Sequence, residues 1–100
     1  MITAKKNPDT KKILYLEGDV NYTLIHFYDG RSELSSHTLL RHQERLTGFV
    51  RISKKYLVNP GVVRCITPKG ELQLLEGTRL VISRRKRTFV KAIFSNQKHV

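Results

Sequence analysis

One hundred residues support a single small core, since a chain of this length buries roughly two-thirds of its unfolded surface and cannot divide that between two cores. With 39% hydrophobic and 27% charged residues the composition falls in the globular range, and no apolar stretch is long enough to cross a bilayer. Nineteen Lys and Arg against eight Asp and Glu give a formal charge of +11, which attracts polyanions and disfavours cationic ligands.

That charge is unevenly spread. Residues 1–50 hold seven basic and six acidic side chains, net +1, whereas residues 51–100 hold twelve and two, net +10. The start, "MITAKKNPDTKK", has lysines but no apolar run after them, so it lacks the form of a secretory signal. Residues 1–12 are expected to fray and the protein to be soluble and cytoplasmic. From Ile13 the pattern becomes short strands: Ile13 to Glu17, a turn at Gly18-Asp19, then "NYTLIHFY", and a hairpin at Asp29-Gly30 leading into "RSELS". "SSHTLLRHQERL" predicts a first helix near residues 36–46, with Ser35 or Ser36 as N-cap, Leu39, Leu40 and Leu46 toward the core, and Gly48 at its end.

"FVRISKKYLVN" reads as strand pieces in which Phe49, Ile52, Tyr56, Leu57 and Val58 are largely core and Ser53-Lys54-Lys55 form a basic break. Arg51 has two readings, a partner in an internal ion pair or a phosphate contact. Asn59-Pro60-Gly61 is a turn signal before "VVRCI", where the single cysteine, Cys65, reads as a buried core thiol. "TPKG" then places Pro68 and Gly70 at the second and fourth turn positions, followed by "ELQLL", a two-residue turn at Glu76-Gly77, and "TRLVI". In "SRRKRTFVKAIF" the period changes to helical: Phe89, Val90, Ile93 and Phe94 form an apolar stripe near residues 84–94, with Ser83 as N-cap. Residues 95–100 are a polar tail. Arg84, Arg87 and Lys91 fall at i, i+3 and i+7 along one side of that helix, with Arg85 and Lys86 flanking its first turn. Cations at a helix N-terminus oppose the macrodipole at a cost of a few tenths of a kcal/mol each unless an anion sits there, so the run predicts an anion site.

Catalytic chemistry finds little support. His26, His37, His42 and His99 are scattered, and the five-residue separation of His37 and His42 puts them on different helix faces, unlike the i, i+4 pairs of zinc sites. No Gly-rich phosphate loop, GxSxG elbow or supported Cys/His pair appears, so no enzyme, metal site, cofactor or small-molecule substrate is expected. Nucleic acid fits better, because phosphates are met by Lys and Arg with help from hydroxyls, amides and helix N-termini. Tyr15, Tyr22, Tyr28 and Tyr56 lie in strand-like patterns where a buried ring with its hydroxyl at the surface is the commoner role than base stacking. The two helix candidates are too far apart for a helix-turn-helix, so loops and strand ends must carry much of any DNA contact.

Taken together, "ILYLEGDVNYTLIHFYDGR", the leucines of "HTLLRHQERL", "FVRISKKYLVN" with "VVRCI", and "LVISRRKRTFVKAIF" resemble the LytTR DNA-binding domain of LytR/AlgR-type bacterial response regulators, over about residues 13–94. The resemblance implies a mainly β fold with short helices (α+β), compact and built of mostly antiparallel strands. It implies a transcription regulator that reads imperfect direct repeats in promoter DNA through loops in the major groove. Carried over by position, the family's DNA contacts fall at Asn21 and Tyr22, at Ser53, Lys54 and Lys55, and at Arg84 and Arg85; Asn21, Ser53, Lys54 and Arg85 are expected to meet bases, Arg85 suiting bidentate bonding to guanine, and Tyr22, Lys55 and Arg84, with Lys86, Arg87 and Lys91 of the basic helix run, to meet phosphates. Many relatives have His-Arg-Ser where this chain has Ser53-Lys54-Lys55, which implies more phosphate grip and less geometric readout. The short polar start implies an open sheet edge and hence a route to a homodimer on DNA, and the lack of a receiver domain implies a stand-alone regulator controlled by abundance or a partner. Two other readings compete: a basic module binding an acidic protein partner through the open strand edge, and a basic domain on RNA.

Overall fold

A computed structural model describes residues 12–95; all of the expected frayed start but Lys12, most of the polar tail and His99 lie outside the described residues. Eight strands and two helices succeed one another: β1 Ile13–Gly18, β2 Thr23–Phe27, β3 Ser32–Ser35, α1 Leu39–Arg45, β4 Val50–Arg51, β5 Tyr56–Val58, β6 Val63–Ile66, β7 Glu71–Leu74, β8 Arg79–Val81 and α2 Arg87–Ser95. All pairings are antiparallel, in a five-stranded sheet of order β3-β2-β1-β5-β4 and a three-stranded sheet of order β6-β7-β8.

Three of the hairpins use one device. Gly30 N donates to Phe27 O, Gly70 N to Thr67 O and Gly77 N to Leu74 O, and in each case the glycine has positive φ, 90°, 87° and 108°. A tight turn ending in a left-handed residue makes a three-residue hairpin loop, and only glycine adopts that φ without strain. Glu76-Gly77 is therefore not a two-residue turn: Leu75 belongs to the loop, exposed, rather than to the strand.

A bulge in β1 between Ile13 and Tyr15 changes the strand's phase, so that Ile13 and Leu16 share a face with Ile25 and Phe27 of β2 and Leu57 of β5. Helix α1 covers that face with Leu39, assisted by half-buried Leu46 and Phe49. The second cluster joins the two sheets: Leu14, Val50, Ile52 and Val58 pack with Leu72, Leu74, Leu80, Ile82 and, from α2, Val90 and Phe94.

The helices are shorter than the sequence suggests. Ser35 ends β3, so α1 begins only at Leu39 and its N-cap is Thr38, whose Oγ1 accepts from Arg41 N at 3.3 Å, not Ser35 or Ser36. Its C-cap is Leu46, two residues before Gly48. With only two turns, one row faces the sheet, and Leu40 is rotated out to 57% exposure instead of joining the core. At the other end, Arg84–Lys86 form a 3-10 turn before α2, and Ser83 begins that turn without a side-chain cap bond. Within α2, Val90 and Phe94 are buried, Ile93 is half-buried and Phe89 is exposed at the edge of the apolar stripe. Cys65 is half-buried with its Sγ directed at Gln73 Oε1, 3.9 Å away, rather than in the core. Tyr15 and Tyr56 are half-buried, while Tyr22 and Tyr28 are exposed because they sit in loops, not strands.

Candidate nucleic-acid interface

The basic break after β4 is a built loop. Ser53 Oγ accepts from the backbone N–H groups of Lys55 and Tyr56, both at 3.1 Å, which turns the chain sharply between β4 and β5. Arg51 then fastens it: Nε donates to Ser53 O at 2.6 Å, Nη2 to Lys54 O at 3.1 Å and Nη1 to Gln43 Oε1 of α1 at 2.6 Å. Burial lowers the Arg51 pKa, yet an arginine remains charged in this range. The ion-pair reading of Arg51 does not describe this arrangement, since its acceptors are two carbonyls and an amide of its own surroundings. It holds the loop that carries Lys54 and Lys55.

Two backbone bonds then bring distant segments to that loop. Ser83 N donates to Ile52 O at 3.0 Å, which sets the Arg84–Lys86 turn beside Ser53-Lys54-Lys55. Gly18 N donates to Lys55 O at 2.7 Å, which ties the β1–β2 loop to the other side. The result is a groove lined by Arg51, Lys54, Lys55, Arg84, Arg85 and Lys86 together with Gln43, Ser53, Tyr56, Val81 and Ser83, and no carboxylate lines it. A second, shallower groove continues from Lys54 and Lys55 to Gly18, Asp19, Val20, Leu39 and Leu40.

Of the ten residues singled out as DNA contacts, Ser53, Lys54, Lys55, Arg84, Arg85 and Lys86 thus share one groove. Asn21 and Tyr22 are exposed in the adjoining loop, where the Tyr22 hydroxyl meets the Asp19 carboxylate. The backbone N–H of Val20, at 2.7 Å, and then that hydroxyl hold Asp19 below the usual carboxylate range. Arg87 is elsewhere. Its guanidinium lies against Gly70, where a Cβ would come within 2.8 Å of it, and Lys91, one helical turn on, does not line the groove either. Arg84 belongs to the 3-10 turn that borders the groove, whereas Arg87 and Lys91 belong to α2 and do not line it.

The cations in the groove differ in how much of their charge is already answered. Lys55 Nζ lies 3.6 Å from Glu17 Oε2 and near the Tyr56 ring, and Lys86 Nζ lies 4.9 Å from the centroid of the Phe89 ring. Among the described residues, Lys54, Arg84 and Arg85 form no ion pair. Glu17 also meets His26, whose Nε2 is 3.1 Å away and whose ring stacks on Tyr15 at 4.4 Å. Burial, then the neighbouring Glu17 charge, pushes the Tyr15 phenol up to about 12, as suits a packed structural ring.

His37 and His42 are neighbours after all, with ring centroids 5.9 Å apart, because His37 precedes the N-cap and lies outside the helical phase. No group of three or more metal-ligating side chains occurs among the described residues. No helix among them is long and apolar enough to cross a membrane.

Comparison with known proteins matches the geometry. The profile of the LytTr DNA-binding domain covers residues 6–95. The chain belongs to the LytTR family. The matched region begins ahead of Ile13. A solved structure with the same fold is the LytTr DNA-binding domain of a Bacillus cereus protein described as a methyl-accepting/DNA response regulator, at TM-score 0.76 and 18% identity over 87% of this chain and 84% of that one. No curated protein matches the sequence. As a LytTR domain the chain is a DNA-binding module, and the mostly antiparallel two-sheet fold is the family's.

Proposed function

We propose that this LytTR domain is a transcription regulator that binds specific duplex DNA through the major groove, at direct repeats in promoters. The observation that carries this reading is the convergence of two loops, about thirty residues apart in sequence, on one groove with six cations and no acid. Such a surface suits a polyanion, and loops rather than a flat sheet face carry its cations, as reading base edges in a DNA groove needs. In this reading Arg85 bonds guanine O6 and N7, Asn21, Lys54 and the Ser53 hydroxyl proton meet other base edges, and Tyr22, Lys55, Arg84 and Lys86 hold phosphates. Arg87 and Lys91 are flanking phosphate contacts, reached only where the duplex runs on past the β6–β7 turn.

The acidic-partner reading is less well supported. The outer edge of β3, unpaired among the described residues, carries Glu33 and sits beside the Arg31–Asp29 ion pair, so its charge is mixed, and the cations gather elsewhere. Enrichment of bound duplexes from a random pool, then fluorescence anisotropy against a scrambled duplex at several salt concentrations, tests the proposal. A preferred sequence retained at physiological salt is expected. Equal affinity for both duplexes throughout would reduce the domain to a non-specific binder, and stronger binding to single-stranded RNA would favour the RNA reading.

A further inference from the structure

Val20 is 83% exposed, more than any other large apolar side chain among the described residues, although it stands in a fixed loop. Asp19 N donates to Tyr22 O at 2.8 Å, Asp19 Oδ1 accepts from Val20 N at 2.7 Å, and Gly18 N is bound to Lys55 O. Gly18 matters here because a Cβ would lie 3.1 Å from Leu39 Cβ: its absence lets the start of α1 settle against the end of β1. Leu39 is buried in that contact, and Leu40, the next residue round the helix, turns out toward the same shallow groove as Val20. The result is a small rigid apolar ledge beside Lys54 and Lys55.

Two side chains are too small a patch to hold a protein partner, and the flanking ammoniums draw a polyanion instead. In the DNA major groove each A·T pair offers one apolar group, the thymine C5-methyl. The Asp19 carboxylate, which accepts from Val20 N, disfavours a phosphate at that one point, so a base edge faces Val20 while Lys55 of the same groove meets the backbone.

We propose that Val20, with Leu40 beside it, is a specificity-determining residue that recognises the C5-methyl of a thymine. This rests on the duplex-DNA reading above and deepens it. The test takes the best duplex from the enrichment and replaces each thymine singly by deoxyuridine, which removes the methyl and keeps the Watson–Crick pairing. Wild-type protein is expected to bind about fourfold more weakly at one position in each repeat, the effect of one buried carbon. In Val20→Ser that difference disappears, in Leu40→Ser it shrinks, and both variants keep the wild-type salt slope. No sensitive thymine, or the full difference persisting in Val20→Ser, overturns the assignment while leaving DNA binding intact. An enrichment that yields no preferred duplex overturns both this inference and the sequence-specific reading beneath it.

Discussion

Arg51 commits three of the five N–H donors of its guanidinium to Ser53 O, Lys54 O and Gln43 Oε1, so a lysine there keeps the charge and loses the fork. Arg51→Lys is expected to lower stability in urea by about 1–2 kcal/mol, the worth of the lost charge-assisted bonds at a half-buried site. It should also weaken the enriched duplex with an unchanged salt slope, because the charge is kept; a slope flatter by about one in Arg51→Gln would mark Arg51 itself as a phosphate contact. Arg85 carries the opposite expectation. If it bonds guanine, Arg85→Ala costs about 1–3 kcal/mol on the enriched duplex and little on the scrambled one, read by anisotropy. A uniform loss on both would make it a phosphate contact.

Among the elements, α1 matters because it supplies Gln43 to the Arg51 clamp and Leu40 to the second groove. Removing its N-cap oxygen in Thr38→Ala is expected to cost about 1 kcal/mol in thermal or urea unfolding. The helix also responds to pH. Burial first, then His37 and Arg45, hold the His42 pKa below its usual value, so the folded state resists protonating a ring that the unfolded chain protonates freely. The stability this gives is present above the unfolded pKa of about 6.5 and is lost as pH falls through the lower folded value. Urea midpoints should therefore drop between pH 7 and pH 5, and His42→Asn should flatten that drop. The strands were legible in the sequence because alternation and the glycines at 30, 70 and 77 are local signals. The helix starts were not: Ser35 and Ser36 look like caps, but Ser35 is held in β3, and its hydroxyl accepts from His37 N and lies 2.8 Å from His42 Nε2. Likewise the run after Ser83 looks like one helix, but Arg84–Lys86 form a separate 3-10 turn at the groove and α2 begins only at Arg87.

Across the whole molecule, the excess charge in residues 51–100 becomes a localised field because the fold gathers it. The Ser83–Ile52 bond at the junction of the two sheets makes one groove from two basic segments. No spacing rule predicts such a long-range meeting, and only the family resemblance named both segments as partners in one task. The Arg51 clamp and the Val20–Leu40 ledge were hidden for the same reason, since each joins side chains from separate elements. If the groove is the interface, Arg84→Ala and Lys86→Ala should each flatten the salt slope of duplex binding by about one, and Lys91→Ala by less. The central claim, that these loops together form the DNA-binding surface, is tested most directly by amide chemical-shift mapping of the domain titrated with the enriched duplex. Perturbations are expected to cluster at residues 19–22, 53–55 and 83–86, with the β3 edge unmoved. Shifts concentrated on Ser32–Ser35, or spread evenly over all exposed lysines and arginines, would contradict it.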